Sequence, residues 1–247
     1  EGPMVDASLV ADRSAVAPGE IVHLALHQEI TPGWHTYWRN PGDSGEPTRL
    51  ALDLPEGWSA GDLIWPAPKA YPLGPLTNYG YSDSVTLPLA VRVPADAPRG
   101  IVTIPAEATW LVCEDICIPE DADLSITLEV GDSDVDPAGA ALIEAAFAAA
   151  PALAGDRLQA GVEKTDDALV LTLTGDALAA GSDGIRNLEV FPVESGIIDH
   201  AAPQPARLEP GAARIDLAPG YLARGGLPGP MTFVLAFEQR AGGGWAR

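Results

Sequence analysis

Two residues carry most of the chemistry this sequence could do. Cys113 and Cys117 are the only cysteines among 247 residues, and they stand four positions apart. Three intervening residues can bring two Cα atoms within the roughly 4.4–6.8 Å that a disulfide needs. A structural bridge is the plainest use of such a pair. Its stabilising effect is small, because closing a loop of about five residues restrains the unfolded chain by only about 2 kcal/mol, against about 4.7 for a hundred-residue loop. A redox switch is the second use, and spacing alone leaves staple and switch both open. A third is capture of Cu(I), a soft ion that two thiolates can hold. Zinc usually needs four ligands, and His23, His27, His35 and His200 are scattered away from the cysteines.

The neighbours of the thiols are acidic: Glu114 and Asp115 between them, Glu120 and Asp121 just after. Nearby carboxylates disfavour thiolate, so Glu114 and Asp115 are expected to raise the cysteine pKa. Such a pair is a slow attacker on arbitrary disulfides, yet its oxidised form remains open to a partner's activated thiolate. That pattern fits a relay with chosen partners better than a broad oxidant.

Strands must position the pair. There are 26 glycines and 24 prolines, about a fifth of the chain, which fits many short strands and turns better than long helices. Val22, Leu24 and Leu26 alternate with His23, Ala25 and His27, the period of a half-buried strand, with the two histidines expected on its solvent side. Further strands are expected at 4–10, 34–38, 49–54, 85–93, 101–112 and 124–130, separated by turn chemistry such as Ala17-Pro18-Gly19 and Pro55-Glu56-Gly57. About seven short antiparallel strands suggest a sandwich of immunoglobulin type. The cysteines fall where two strands meet, with Pro119 and the acidic residues Glu120, Asp121 and Asp123 forming a turn before Leu124. Asp136-Pro137 opens an alanine-rich helix to about Ala149, with Asp136 as cap and Pro137 at its first position. The second half is β-like again, with strands expected at 158–163, 168–174, 188–193, 207–208, 213–217 and 231–238. Gly242–Gly244 looks like a turn and Trp245 the start of a returning strand, so the natural chain is expected to continue. Glu1-Gly2-Pro3 looks like the start of a mature or cloned fragment.

Composition excludes several classes. With 14 basic and 35 acidic residues the formal net charge is −21, so the basic footprint of a nucleic-acid binder is missing and an anionic membrane would repel the chain. No stretch approaches the roughly 20 apolar residues of a membrane span. Ser195 and His200 lack a hydrolase motif, and no glycine pattern opens a nucleotide site. Trp34, Tyr37, Trp38, Trp58, Trp65 and Tyr71 are expected mainly in the core, a sugar-stacking platform being the rarer use. Tyr79 and Tyr81 differ, since Asn78-Tyr79-Gly80 reads as an exposed loop, and aromatics on a loop can shield a reactive group.

Cys113-Glu114-Asp115-Ile116-Cys117-Ile118-Pro119 resembles the active-site segment of the N-terminal periplasmic domain of DsbD-type thiol:disulfide interchange proteins, although the gap between the cysteines is shorter here. Tyr79-Gly80-Tyr81-Ser82-Asp83-Ser84-Val85 resembles that family's cap loop and following strand. The stretch from Pro32-Gly33-Trp34-His35-Thr36-Tyr37-Trp38 to Asp43-Ser44-Gly45 is similar to the ScsB (suppressor of copper sensitivity) branch. These motifs span about residues 30 to 120.

The resemblance implies a periplasmic module, the soluble part of an inner-membrane protein. It would accept electrons from a membrane-embedded domain of the same full-length protein through a thioredoxin-like domain, and pass them to periplasmic thioredoxin-fold proteins. By carry-over Cys117 forms the mixed disulfide and Cys113 resolves it, under a cap formed by Asn78, Tyr79, Gly80 and Tyr81. The expectation is thus an all-β chain of two immunoglobulin-like sandwiches joined by a short helix: a redox domain over 1–133, a helical linker over 134–152 and an accessory domain over 153–247. The resemblance implies that it acts as a protein-disulfide reductase, and no organic cofactor and no metal are expected. The alternatives are a non-catalytic binding module with a structural disulfide, or copper capture by the dithiol.

Overall fold

Period-two alternation of apolar and polar residues builds most of the structure. The computed structural model describes residues 2–241 and 244–246. The fold is all-β, and the chain divides into two units. The first takes in the chain up to Pro41, Gly45–Tyr71 and Tyr79–Ala150. The second takes in Gly42–Ser44, Pro72–Asn78 and the chain from Pro151 onward.

In chain order the elements through the first helix are β1 (Val5–Ala11), β2 (Arg13–Val16), β3 (Ile21–Ile30), β4 (Thr36–Gly42), β5 (Arg49–Leu52), β6 (Ser59–Ala60), β7 (Lys69–Leu73), β8 (Leu76–Tyr81), β9 (Ser84–Arg92), β10 (Gly100–Cys113), β11 (Cys117–Val130), β12 (Asp134–Val135) and α1 (Pro137–Ala149). One sheet has the order β1-β3-β9-β6, another β12-β2-β11-β10-β5, and a third β4-β8-β7. The first two face each other across a core of Val16, Val22, Leu24, Leu89, Val91, Ile104, Leu128 and Val130. Val22, Leu24 and Leu26 are buried as their alternation requires. The other face of β3 is not open to solvent, however. Ala25 is buried and the His23 ring meets Phe147 of α1 edge-on at 5.2 Å, because α1 lies against β1, β3 and β9.

That helix starts where its sequence signals it. The Asp136 side chain accepts from the Ala138 and Gly139 amides, and Pro137 occupies the first turn. It was expected as a connector, but it buries Gly139, Ile143 and Ala146 and belongs with the first unit.

The second unit holds β13 (Gln159–Lys164), β14 (Leu169–Thr174), α2 (Gly181–Gly184), β15 (Ile185–Pro192), β16 (Ala206–Glu209), β17 (Ala212–Leu217), β18 (Phe233–Ala241) and β19 (Gly244–Ala246). Its sheets run β13-β14-β17-β16 and β15-β18-β19, around a core that includes Leu169, Leu171, Val190, Ile215 and Leu217. Gly242 and Gly243 of the expected terminal turn lie outside the described residues.

The helix approaches the sheet most closely at Gly139, where an added Cβ would run into the backbone carbonyl of Ala11. Alanine favours helix over glycine by about 1 kcal/mol, while forcing an atom into packed backbone costs about 1–3 kcal/mol. The collision is with main chain, which cannot swing aside, so Gly139→Ala is expected to be net destabilising and to lower the urea midpoint of the first unit.

Candidate functional site

The cysteines close a long antiparallel hairpin. β10 and β11 each run fourteen residues and pair continuously from Gly100 opposite Val130 to Cys113 opposite Cys117. Only Glu114, Asp115 and Ile116 form the turn. The acidic stretch expected as a turn, 119–123, is strand instead. Glu120, Ala122, Leu124 and Ile126 face inward while Pro119, Asp121, Asp123 and Ser125 face out, so the charges occupy the solvent side of a period-two strand. Pro119 is tolerated because β2 meets β11 only at Glu129 and Val130, which leaves the strand an edge at the tip. Glu120 itself is turned away from the thiols. Its carboxylate accepts from the Met4 amide at 2.6 Å, the Val5 amide at 3.2 Å and the Trp110 indole at 3.2 Å, tying the start of β1 to the hairpin.

The tip is fixed by backbone bonding. The His35 amide donates to the Cys113 carbonyl and the Cys113 amide to the His35 carbonyl, both at 2.9 Å. A strand residue points its N–H and C=O to the same side, so Cys113 has none left for Cys117. The two cysteines form a non-hydrogen-bonded pair, the kind that brings side chains closest, and their Cα atoms are 4.2 Å apart. They are joined as a disulfide. Cys113 is fully buried and Cys117 exposed. Glu114 and Asp115 stand exposed at the tip, with the Glu114 carboxylate lying over Gly33 of the Pro32-Gly33 turn.

Behind the sulfurs stands an aromatic wall absent from the sequence-derived site. The Tyr37 hydroxyl donates to Cys113 Sγ at 2.7 Å and lies 3.3 Å from Cys117 Sγ. The His35 ring packs edge-on to Tyr37 at 5.3 Å and stacks on Tyr71 at 4.7 Å. Burial pushes the His35 pKa down. Gly45 holds Tyr37 in place: at φ +96° it takes a conformation that favours glycine, and any Cβ there would collide with the tyrosine ring.

The cap segment differs from its expectation as an exposed loop. Asn78, Tyr79, Gly80 and Tyr81 belong to β8 and are all buried. The reason is packing on both faces. Gly80 lies against the Thr36 carbonyl so closely that no Cβ would fit, and the Tyr81 hydroxyl donates to the Pro66 carbonyl at 2.8 Å, its burial raising its pKa well above the ordinary tyrosine value. His23 bonds Asp12 and His27 bonds Thr86.

Residues 6–129, half of the chain, match the family described as thiol:disulfide interchange protein DsbD, N-terminal. The chain belongs to that family. With the Cys113–Cys117 disulfide at its hairpin tip, this DsbD-type domain is a thiol–disulfide exchange module. The fold is that of the N-terminal periplasmic domain of ScsB from Proteus mirabilis, with a TM-score of 0.69 at 18% identity over 95% of this chain and 89% of that one. The sporulation control protein Spo0M from Bacillus subtilis (TM-score 0.26, 11% identity, 96% and 91% covered) and AvmM, described as catalysing macrocyclization (0.25, 11%, 54% and 92%), are too distant to inform the fold. No curated protein sequence matches.

Two outcomes follow for this DsbD-type tip. A hydrogen bond to a charged group is worth about 1.5–3 kcal/mol, and 1.36 kcal/mol is one pKa unit. In a Cys117→Ala background, Tyr37→Phe should therefore raise the Cys113 pKa by about one unit, followed by thiolate absorbance against pH. Gly45→Ala should move it the same way by displacing the ring; an unchanged titration in both would remove Tyr37 from the site. The second outcome concerns acid. As pH falls through 6.5, the unfolded chain protonates at His35 while the folded chain, its pKa lowered, does not. Stability is thus lost on acidification through 6.5 and levels off below the folded value. His35→Gln should make the denaturation midpoint fall less steeply as pH drops below 6.5, leaving the part that the likewise lowered His200 contributes.

Proposed function

We propose that this chain is the reductant-delivering N-terminal module of a ScsB-like membrane protein, a protein-disulfide reductase working in the periplasm. The observation that carries the reading is the unequal exposure of the pair: Cys117 is open to a partner while Cys113 is buried behind it against Tyr37. A thiol must be reachable to attack and its mate must be close to resolve.

In the proposed cycle the reduced Cys117 thiolate attacks one sulfur of a partner's disulfide. The partner's second sulfur leaves as thiolate and a mixed disulfide forms. The Cys113 thiolate then attacks Cys117 Sγ and expels the partner's first sulfur. Two electrons pass to the partner, the two thiol protons end on its sulfurs, and the Cys113–Cys117 bond is restored. A membrane-embedded domain of the full-length protein, acting through a thioredoxin-like domain, would return two electrons to the pair. Thioredoxin-fold proteins are the proposed recipients, since a hairpin tip of three residues can enter the shallow surface around a partner's exposed disulfide.

Glu114 and Asp115 would then bias the exposed Cys117 toward thiol, while Tyr37 would favour thiolate at Cys113. This asymmetry makes the first attack selective and the resolving step fast. The redox work is assigned to residues 1–133, with the chain beyond 153 accessory to it. Among the described residues no helix is long and apolar enough to cross a membrane.

The test is a trap. Cys113→Ser, reduced and mixed with an oxidised thioredoxin-fold protein, should accumulate a mixed disulfide through Cys117, visible on a non-reducing gel. Cys117→Ser should accumulate at least tenfold less. Equal trapping by both variants would sink the assignment of roles, and trapping by neither would sink the reductase reading.

A further inference from the structure

β5 is the last strand of one sheet and β6 the last strand of the other, and a groove of about 660 Å³ lies beside them. That volume falls in the range of formed ligand sites. Its lining includes Leu52, Leu54, Leu63, Trp65 and Leu89, with Arg39, Arg49, Thr48 and Asp62 as the polar members.

Three observations say what would fill it. The first is main-chain direction. Asp53 donates its amide to the Pro105 carbonyl of β10 at 2.9 Å, and Arg49 and Ala51 face β10 in the same register. By alternation along the ladder, the N–H and C=O groups of Leu50 and Leu52 point away from β10, toward the free edge. An edge with its polar groups presented beside an apolar trough is the geometry that takes up an added strand.

The second is Thr48. It is 2% exposed, and its Oγ1 has no hydrogen-bond partner. A buried hydroxyl without a partner is costly, and this one belongs to a residue of the groove wall, so a shift of that wall around a bound segment could give it one. The third is charge. In a chain of formal net charge −21, Arg39 and Arg49 both line this groove, and among the described residues neither forms an ion pair. Asp62, on the segment following β6, disfavours a run of acids.

We propose that this groove binds an extended peptide segment of a partner protein, paired to the β5 edge through Leu50 and Leu52. The segment carries alternating apolar residues and a single carboxylate held by Arg49 and Arg39. Such a site is separate from the thiols and gives the module a second, redox-independent grip on a partner.

The probe is a nine-residue peptide of alternating threonine and valine with one central glutamate, added to the intact oxidised protein. Binding should protect the Leu50 and Leu52 amides from hydrogen exchange and shift the Trp65 fluorescence. Replacing the glutamate by lysine, or introducing Arg49→Glu, should weaken binding at least tenfold. Backbone N-methylation along one edge of the peptide should abolish it, as should Leu50→Pro, which removes an edge amide at a position where a fold tolerates proline. Should Leu50→Pro fail to fold, the methylated peptide makes the same test on the native chain. Absence of protection at millimolar peptide would overturn the proposal. So would equal binding by the methylated peptide, which would mark charge attraction alone.

Discussion

The pair of hydrogen bonds between His35 and Cys113 sets the rest of the site. It spends the polar groups of Cys113 on the side away from Cys117, which makes the cysteines a non-hydrogen-bonded pair and brings their side chains together. It also pins the hairpin tip to the chain entering β4, and that placement carries Tyr37 to the sulfurs two residues later. Burial of Cys113, exposure of Cys117 and the aromatic wall behind them all follow from this one backbone junction.

Two opposing electrostatic influences meet at the tip. The carboxylates of Glu114 and Asp115 are solvent-exposed, so their effect on a thiol is screened. The Tyr37 hydroxyl is buried and in contact, where a hydrogen bond acts at full strength. The nearer, drier group should dominate at Cys113, and the carboxylates should be felt mainly at Cys117. Within one short turn the two sulfurs thus sit in different surroundings, one buried against Tyr37 and one exposed. Glu120, an acid equally close in sequence, takes no part, because the period of β11 turns it inward to the Met4 and Val5 amides.

Much of this was legible in the residues. β3, β9 and β10 alternate clearly, and the Asp136 cap with Pro137 located α1 to the residue. The cysteine pair announced itself by type and spacing. What escaped notice had physical reasons. β8 is buried on both faces, so it shows no alternation, and Gly80, a turn residue by type, instead permits a close approach to the Thr36 carbonyl. The acids of 119–123 resemble a turn by composition, yet they follow the strand period. Tyr37 stands 76 residues from Cys113, and its aromatic type pointed to the core. It is a core residue, but its hydroxyl faces the sulfurs, a double use that only the fold reveals. The motif from Pro32 to Gly45 held the signal, since Gly45 is there to make room for the tyrosine ring.

Because Cys113 and Cys117 share no main-chain hydrogen bond, opening the sulfur–sulfur bond unzips nothing. The ladder below them, from Val112 opposite Ile118 downward, is held by its own strand pairing, and the loop that the bond closes is too short to weigh heavily on the unfolded chain. No backbone hydrogen bond of the ladder depends on the sulfur–sulfur bond. An incoming thiolate therefore has only the sulfur–sulfur bond itself to break, with no strand to melt first.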